Sequence, residues 1–301
     1  RILVQYLKTG QIPKDFKEGT SLYKSLDMTL FEITLPPPQE EADKSKGFKE
    51  FIGAMEQFYA GMQSISPDKY NSKEYYFTLE VALNNSDDQV IVYAAIPNKH
   101  ISLFEKQLSA FYHDSKIREV DDDYNIFNEN GASAGAYANF SERGVMPIKT
   151  YDNIDHDPMN TILNVFSKLK KEGEGAAIQL VISPVGSKFI EQFHIILDDV
   201  KSGTSVKHAD DHFYKFNRAI LKASKDIIFG FKKEEEKTDQ NMKGRRSVDE
   251  GAAEKIGNKI KSTIMASNIR VIASAQNVDR ADAILKEIES AFNQFTEAAS
   301  N

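Results

Sequence analysis

Histidines and carboxylates are the residues of this chain best suited to chemistry, and they gather in two places. His156 lies among Asp152, Asp155 and Asp157, and His208 precedes Asp210, Asp211 and His212. Imidazole with carboxylate is a donor set for divalent metals. His208 and His212, four apart, would share one helix face, which is the histidine spacing of the H-E-x-x-H metalloprotease helix. Ala209 stands where that motif needs its general-base Glu, so the protease chemistry is excluded. Neither cluster completes a zinc or calcium signature. The first is better explained as a helix entrance, where carboxylates favour the positive end of the macrodipole, and the second as an exposed helix start.

Two further patterns carry a chemical suggestion. Gly131-Ala-Ser-Ala-Gly135 fits the serine-hydrolase pattern G-x-S-x-G. A nucleophile elbow, however, needs a buried strand before the serine and a helix after it. Here a polar loop precedes the serine and the strand-like Ala136-Tyr-Ala-Asn-Phe140 follows. Lys243-Gly-Arg-Arg246 is a basic spot within a charged run, and Lys243, Arg245 and Arg246 are candidate contacts for a phosphate backbone or anionic lipid. Asp121-Asp-Asp123 reads as a solvated turn. No Gly-x-x-x-x-Gly-Lys-Ser/Thr phosphate loop occurs in the 301 residues, so ATP hydrolysis by that route is not expected. No catalytic, cofactor-binding or metal-binding residue is assigned, and no cofactor is expected in this chain.

Composition narrows the classes. With 41% apolar and 28% charged residues the chain has the balance of a globular protein. The absence of cysteine removes disulfides, thiolate metal sites and thiol catalysis together. A net charge of -7 argues against a protein that coats nucleic acid. No apolar run reaches the roughly 18 residues a membrane span requires. The chain opens on Arg1 and stops shortly after a helix, and we expect it to be a piece of a longer protein.

Periodicity supplies the elements that must position these residues. After a connector over residues 1–27, Leu30-Phe-Glu-Ile-Thr-Leu35 alternates as a strand and is ended by three prolines. Phe48, Phe51, Ile52, Met55, Phe58, Tyr59, Met62 and Ile65 then mark a core-facing helix. Tyr75 to Leu83 and Val90 to Ile96 flank a turn-rich segment and read as a hairpin. Asn98 is a candidate cap for a helix through Ile101, Phe104, Leu108 and Phe111, and Lys116 to Val120 is a short closing strand. The order strand, helix, strand, strand, helix, strand is the ferredoxin-like split arrangement.

Residues 126–144 are expected to be a linker, with a second unit over 145–301. That unit starts with an extended segment, Val145 to Tyr151, which with Ala176 to Ile182 is the expected sheet partner of the chain's last strand. Asp157-Pro158 caps a helix carrying Met159, Ile162, Leu163, Phe166 and Leu169. Ala176 to Ile182 is a strongly apolar strand. An insertion of mostly helical character at about 186–262 follows, with stripes at Phe189, Phe193, Ile196 and Leu197, and at Phe213, Phe216, Ile220 and Leu221. Ser247 and Glu250 fit a capping box for its last helix. Ser267 to Phe295 then supplies a strand with Ile269, Val271 and Ala273 on one face, and a helix with Ile284, Leu285, Ile288, Ala291 and Phe292. The expected class is therefore α+β, with two ferredoxin-like units, the second interrupted. Both second helices end in Ser-Ala-Phe, at Ser109-Ala-Phe111 and Ser290-Ala-Phe292.

Thr29-Leu-Phe-Glu-Ile-Thr-Leu-Pro36, Ile178-Gln-Leu-Val-Ile-Ser-Pro184, Asn268-Ile-Arg-Val-Ile-Ala-Ser274, Arg280-Ala-Asp-Ala-Ile-Leu285 and Ala291-Phe-Asn-Gln-Phe295 carry a family resemblance over most of residues 28–297. The chain resembles the region preceding the motor in type IV secretion and conjugation ATPases, relatives of the HerA, FtsK and coupling-protein motors. The resemblance implies a cytoplasmic region at the inner face of a membrane and a motor domain C-terminal to it. It also implies assembly with other copies in a hexamer, with DNA contact open and the membrane reached only through segments absent here. It carries no catalytic residue onto this sequence. The function it implies is a non-catalytic accessory region that serves assembly, orientation or cargo contact. The alternative is an autonomous nucleic-acid-binding module of ferredoxin-like fold, although Gln89 to Ile96 lacks the basic-aromatic signature of the RNA-recognition modules.

Overall fold

The computed structural model describes residues 27–34, 48–65, 75–85, 89–121, 124–141, 144–154, 157–170, 172–210, 248–297 and 300–301. The chain divides into two compact units: Met28–Gly186 with Thr263–Asn301, and Arg1–Asp27 with Ser187–Ser262.

The larger unit is α+β and holds one seven-stranded sheet in the order β4-β1-β3-β2-β6-β7-β5. Its strands are β1 Met28–Thr34, β2 Phe77–Leu83, β3 Val90–Pro97, β4 Lys116–Val120, β5 Ala132–Tyr137, β6 Gly175–Pro184 and β7 Met265–Ala275. Every neighbouring pair is antiparallel. Helices α1 Phe48–Met62 and α2 Ile101–Phe111 connect the first four strands, and their sequence order is the one the periodicity predicts. Helix α3 Pro158–Phe166 lies between β5 and β6, and α6 Val278–Ala291 follows β7. Asp157 caps α3 by accepting from the Met159 amide at 2.9 Å, and Asn277 caps α6 by accepting from the Arg280 amide at 2.9 Å.

Side-chain parity assigns the helices to one face of the sheet. Phe31, Ile33, Phe77, Ala94, Ile96 and Ile182 pack with Phe58, Met62, Phe104 and Leu108 of α1 and α2. Ala176, Val271, Ala273 and Ala275, with Ala134 and Ala136 at the edge, pack with Ile162 and Phe166 of α3 and Ile284, Leu285 and Ile288 of α6. These strand residues are register partners of one another or of neighbours two positions away, so they share a face, and the residues between them must point to the other.

Three expectations are corrected. The strand beside β7 comes from within 126–144, at Ala132–Tyr137, and not from Val145 to Tyr151, which contains no strand and ends in a 3-10 turn at Tyr151–Asn153. β5 escapes notice because its core-facing residues are all alanine, which gives little apolar contrast. Asn98 does not cap α2: its Oδ1 accepts from Thr29 Oγ1 at 2.7 Å, and Asn98–His100 forms a 3-10 turn before the helix. The last helix of the insertion, α5 Glu250–Lys259, is capped by Asp249, which accepts from the Ala252 amide at 3.0 Å. A capping oxygen reaches the amide two or three residues on, and Asp249 is the residue at that distance. Ser247 lies outside the described residues.

The smaller unit, as described over 187–210 and 248–262, is helical. In α4 Ser187–Lys201, Phe193, Ile196, Leu197 and Val200 are buried, and in α5 Ala252, Ala253 and Ile256 are buried. Lys259 Nζ lies 6.0 Å from the centre of the Phe193 ring, and burial holds its pKa down to about 8 against the opposing pull of Asp210.

A bidentate clamp ties α6 to the start of β6. Arg280 donates from Nε to Glu174 Oε1 at 2.8 Å and from Nη2 to Oε2 at 3.0 Å, and the Lys170 amide donates to Oε2 at 2.9 Å. Glu174 is 2% exposed. The hydrogen bonds from Arg280 hold its carboxyl below the ordinary 4.5, although burial opposes them. Stability from the clamp is therefore complete above pH 4.5 and is lost as pH falls through the depressed value. Arg280→Ala leaves that carboxylate without its countercharge and should cost about 1–2 kcal/mol near pH 7, a value reduced from the fully buried case because Arg280 is partly exposed. Urea melts should show the gap between wild type and variant narrowing as the pH drops below 4.5. In the first core, Phe58 is fully buried and meets Phe77 and Phe104 edge to face. Phe58→Ala should cost about 3–5 kcal/mol in the same measurement, where a surface change would cost less than about 0.5.

Candidate functional site on the bare sheet face

On the face of the sheet opposite α1, α2, α3 and α6, one lateral row runs through all seven strands. Arg118 is the register partner of Glu32, Glu32 of Tyr93, and Tyr93 of Glu80. Glu80 pairs with Gln179, Gln179 with Arg270, and Arg270 with Tyr137. Directly opposed side chains of neighbouring strands lie within contact distance, so the row is a continuous line of polar and aromatic groups.

Its centre is Glu80, 5% exposed in the middle strand of the sheet. A carboxylate so placed must be supplied with donors. Thr78 Oγ1 donates to Oε1 at 2.6 Å, Gln179 Nε2 donates to the same oxygen at 2.8 Å, and the Tyr124 hydroxyl donates to Oε2. Gln179 passes the chain of bonds on: its Oε1 accepts from Arg270 Nη1 at 3.2 Å, and Arg270 Nε donates to Asn268 Oδ1 at 3.0 Å. Glu80 and Arg270 stand two strands, about 10 Å, apart at the backbone. At an effective dielectric of about 20 their direct attraction is under about 2 kcal/mol. The glutamine bridge, more than Coulomb attraction, ties them together. At the other end Arg118 pairs with Glu32.

Tyr124 belongs to a strap, residues 124–128, that leads from β4 to β5 across this face. Its ring stacks on Tyr93, with centroids 4.6 Å apart and planes 16° from parallel. Ile126 is buried with Ala82, Tyr93 and Ala177. A Cβ at Gly175 would stand 2.4 Å from the Ile126 carbonyl oxygen, so glycine there lets the strap lie directly on the sheet. The Asn85 amide donates to the Asn125 carbonyl at 3.2 Å, the Asn128 amide donates to Ser274 Oγ at 3.0 Å, and Asn128 Nδ2 donates to the Gly173 carbonyl at 3.1 Å. The strap covers the middle of the row and leaves the β7–β5 end more open, where Ile272 is 36% and Tyr137 42% exposed.

The residues singled out by sequence fall elsewhere. Gly131 to Gly135 runs into edge strand β5, with Ser133 exposed on it, so the strand-to-helix turn of a nucleophile elbow is not formed. His208 is exposed while Ala209 and Asp210 beside it are buried. Among the described residues, no group of three His, Cys, Asp or Glu is placed to hold a metal ion. His156, Asp211, His212, Lys243, Arg245 and Arg246 lie outside the described residues. The row itself was not anticipated, although three of its members leave a mark: a charged or amide residue stands between apolar neighbours at Glu80 in LEV, at Gln179 in IQL and at Arg270 in IRV.

The fold and the row define an α+β scaffold with a helix-covered face and a polar, partly strapped face. The chain belongs to the family described as a domain of unknown function (DUF8128), and the match covers residues 39–301. No curated protein and no solved structure matches the chain. Among the described residues, no helix is long and apolar enough to cross a membrane.

Tyr124→Phe removes one donor to the buried Glu80 while keeping the ring stack. It should cost about 1–2 kcal/mol by chemical denaturation, the scale of a hydrogen bond to a charged or buried group. A cost of zero would mean that the strap is not anchored through that hydroxyl.

Proposed function

We propose that this chain is a non-catalytic accessory region of a type IV secretion or conjugation-type translocation ATPase. In this reading two ferredoxin-like units orient or assemble the motor and offer a surface to its cargo. The observation that carries it is where the family-resembling residues fall. Asn268 to Ser274 lies in β7, and Arg280 to Leu285 and Ala291 in α6, with Val271, Ala273, Ala281, Ile284, Leu285 and Ala291 buried in the second core. Those stretches are used to build a scaffold. The two buried carboxylates among the described residues of the unit, Glu80 and Glu174, are engaged by donors from the protein itself, which suits structural work. As the resemblance implies, the partners are a motor following this region and other copies in a hexamer, at the cytoplasmic face of a membrane.

ATP turnover measured on the chain alone should stay at the buffer background. Turnover abolished by Glu80→Gln or Glu174→Gln would overturn the reading. Titration with single-stranded and duplex DNA at about 50 and 200 mM salt should show only weak binding. Tight, salt-sensitive binding lost on changing Arg245 and Arg246 to Gln would instead favour the autonomous nucleic-acid-binding module.

A further inference from the structure

Arg270 differs from the other described arginines of the larger unit whose ion pairs are given above. Arg118 meets Glu32 and Arg280 meets Glu174, each a carboxylate. Arg270 is half-buried, and its two hydrogen-bond partners, Asn268 and Gln179, are neutral amides. A guanidinium has five N–H donors, and among the described residues these two bonds leave three. Charge taken partly out of water is normally matched by an opposite charge, and among the described residues no carboxylate lies within ion-pair distance of Arg270.

The guanidinium is also held in place. Asn268 fixes Nε, Gln179 fixes Nη1, and Gln179 is itself held by the buried Glu80. Fixing a binding group through a braced outer layer is what makes a site selective. The Ala138 amide donates to the Ile269 carbonyl at 2.9 Å, which makes that a hydrogen-bonded pair and its neighbour Arg270–Tyr137 a non-hydrogen-bonded one, the closer kind for side chains. The exposed ring of Tyr137 and the exposed Ile272 thus stand beside a fixed cation. The charge of Arg270 is felt as far as Tyr76, where it favours ionisation of the hydroxyl against the larger opposing effect of burial.

We infer that Arg270 anchors an oxyanion-binding site on the sheet face opposite the four helices, for a ligand that brings a carboxylate or phosphate group to the guanidinium and a planar portion to Tyr137 and Ile272. The N–H donors that no described residue takes up match planar and tetrahedral oxyanions alike, so the chemistry of the anion is common to both sources. The site is independent of the translocation reading above and stands or falls on its own test.

The test follows the Arg270 Nε–Hε signal of the 15N-labelled full chain by NMR at constant ionic strength. The probes are inorganic phosphate, phenyl phosphate, acetate and benzoate. A saturable shift is expected with at least one oxyanion, and comparison of the phosphate and carboxylate pairs identifies the preferred source. The aromatic member of that pair should bind about two- to tenfold more tightly, an advantage lost in Tyr137→Ala, which removes the ring contact. Arg270→Gln keeps an amide in the row, so the sheet should persist, as judged by an otherwise unchanged amide spectrum. In that variant the shifts of neighbouring amides should weaken by about tenfold or more, as expected for loss of a charged hydrogen-bonding partner. If Arg270→Gln unfolds the chain, Arg270→Lys, which keeps the charge but loses the fork, should show the same direction of change. No saturable shift with any probe at about 10 mM would overturn the site, since even a millimolar Kd would then be near saturation. Equal shifts in wild type and Arg270→Gln would overturn it as well.

Discussion

A carboxylate in the middle of a sheet is the constraint on which this structure turns. Glu80 sits in the central strand, almost out of water, and every group that satisfies it comes from a different part of the chain: Thr78 from its own strand, Gln179 from β6, Tyr124 from the strap. Side chains alternate along a strand, so sliding β2 by one residue would turn Glu80 into the core of Phe31, Phe58 and Phe104. Unpaired there, it would cost several kcal/mol. The acid therefore sets the register between β2 and β6, the seam where the first four strands meet the last three. Apolar packing alone would hold that seam with less discrimination, because Leu79, Val81 and Leu83 would meet apolar partners in more than one alignment.

The strap makes the same point on the face that Glu80 occupies. Residues between the two halves would be free to wander if they only connected them. Here they lie across the bare face, with Tyr124 over Tyr93, Ile126 over Gly175 and Asn128 bonded to both Gly173 and Ser274. The halves are consequently parts of one sheet with a shared tie, and the chemistry of the exposed end, around Arg270 and Tyr137, rests on a base that the strap and the buried acid keep rigid. Gly175 is as necessary to this as the acid, since any side chain there would lift the strap.

Much of the fold was legible in the sequence, and the reasons differ by element. The first four strands and the helices between them declare themselves through large apolar residues at period two or at three- and four-residue steps, as in Phe31, Ile33 and the stripe from Phe58 to Ile65. β5 was hidden because Ala132, Ala134 and Ala136 need only small side chains to meet α6, and Gly131 and Gly135 give the segment the look of a loop. The site was harder still. Glu80, Gln179 and Arg270 are 99 and 91 residues apart in succession, and only long-range register brings them into line. A charged or amide residue between apolar neighbours in each of three strands was the available signal. The histidine clusters and the serine motif drew attention through residue type, yet type without placement says little. His208 is exposed beside a buried Asp210, and Ser133 lies on a sheet edge.

The distance in the chain between β6 and β7 has a consequence for how the protein is made. β6 ends at Pro184 and β7, its partner along the whole of its length, begins at Met265. Their separation of 81 residues, 265 less 184, takes a ribosome about 4–16 s to traverse at about 5–20 residues per second. During that interval one side of β6 already has its neighbour in β2, while the other presents the backbone groups and apolar residues of a strand awaiting its mate. β5 waits for the same strand. The nascent chain thus carries a sticky, half-finished sheet for seconds at a time, and its yield in a cell depends on what shields that edge until β7 emerges.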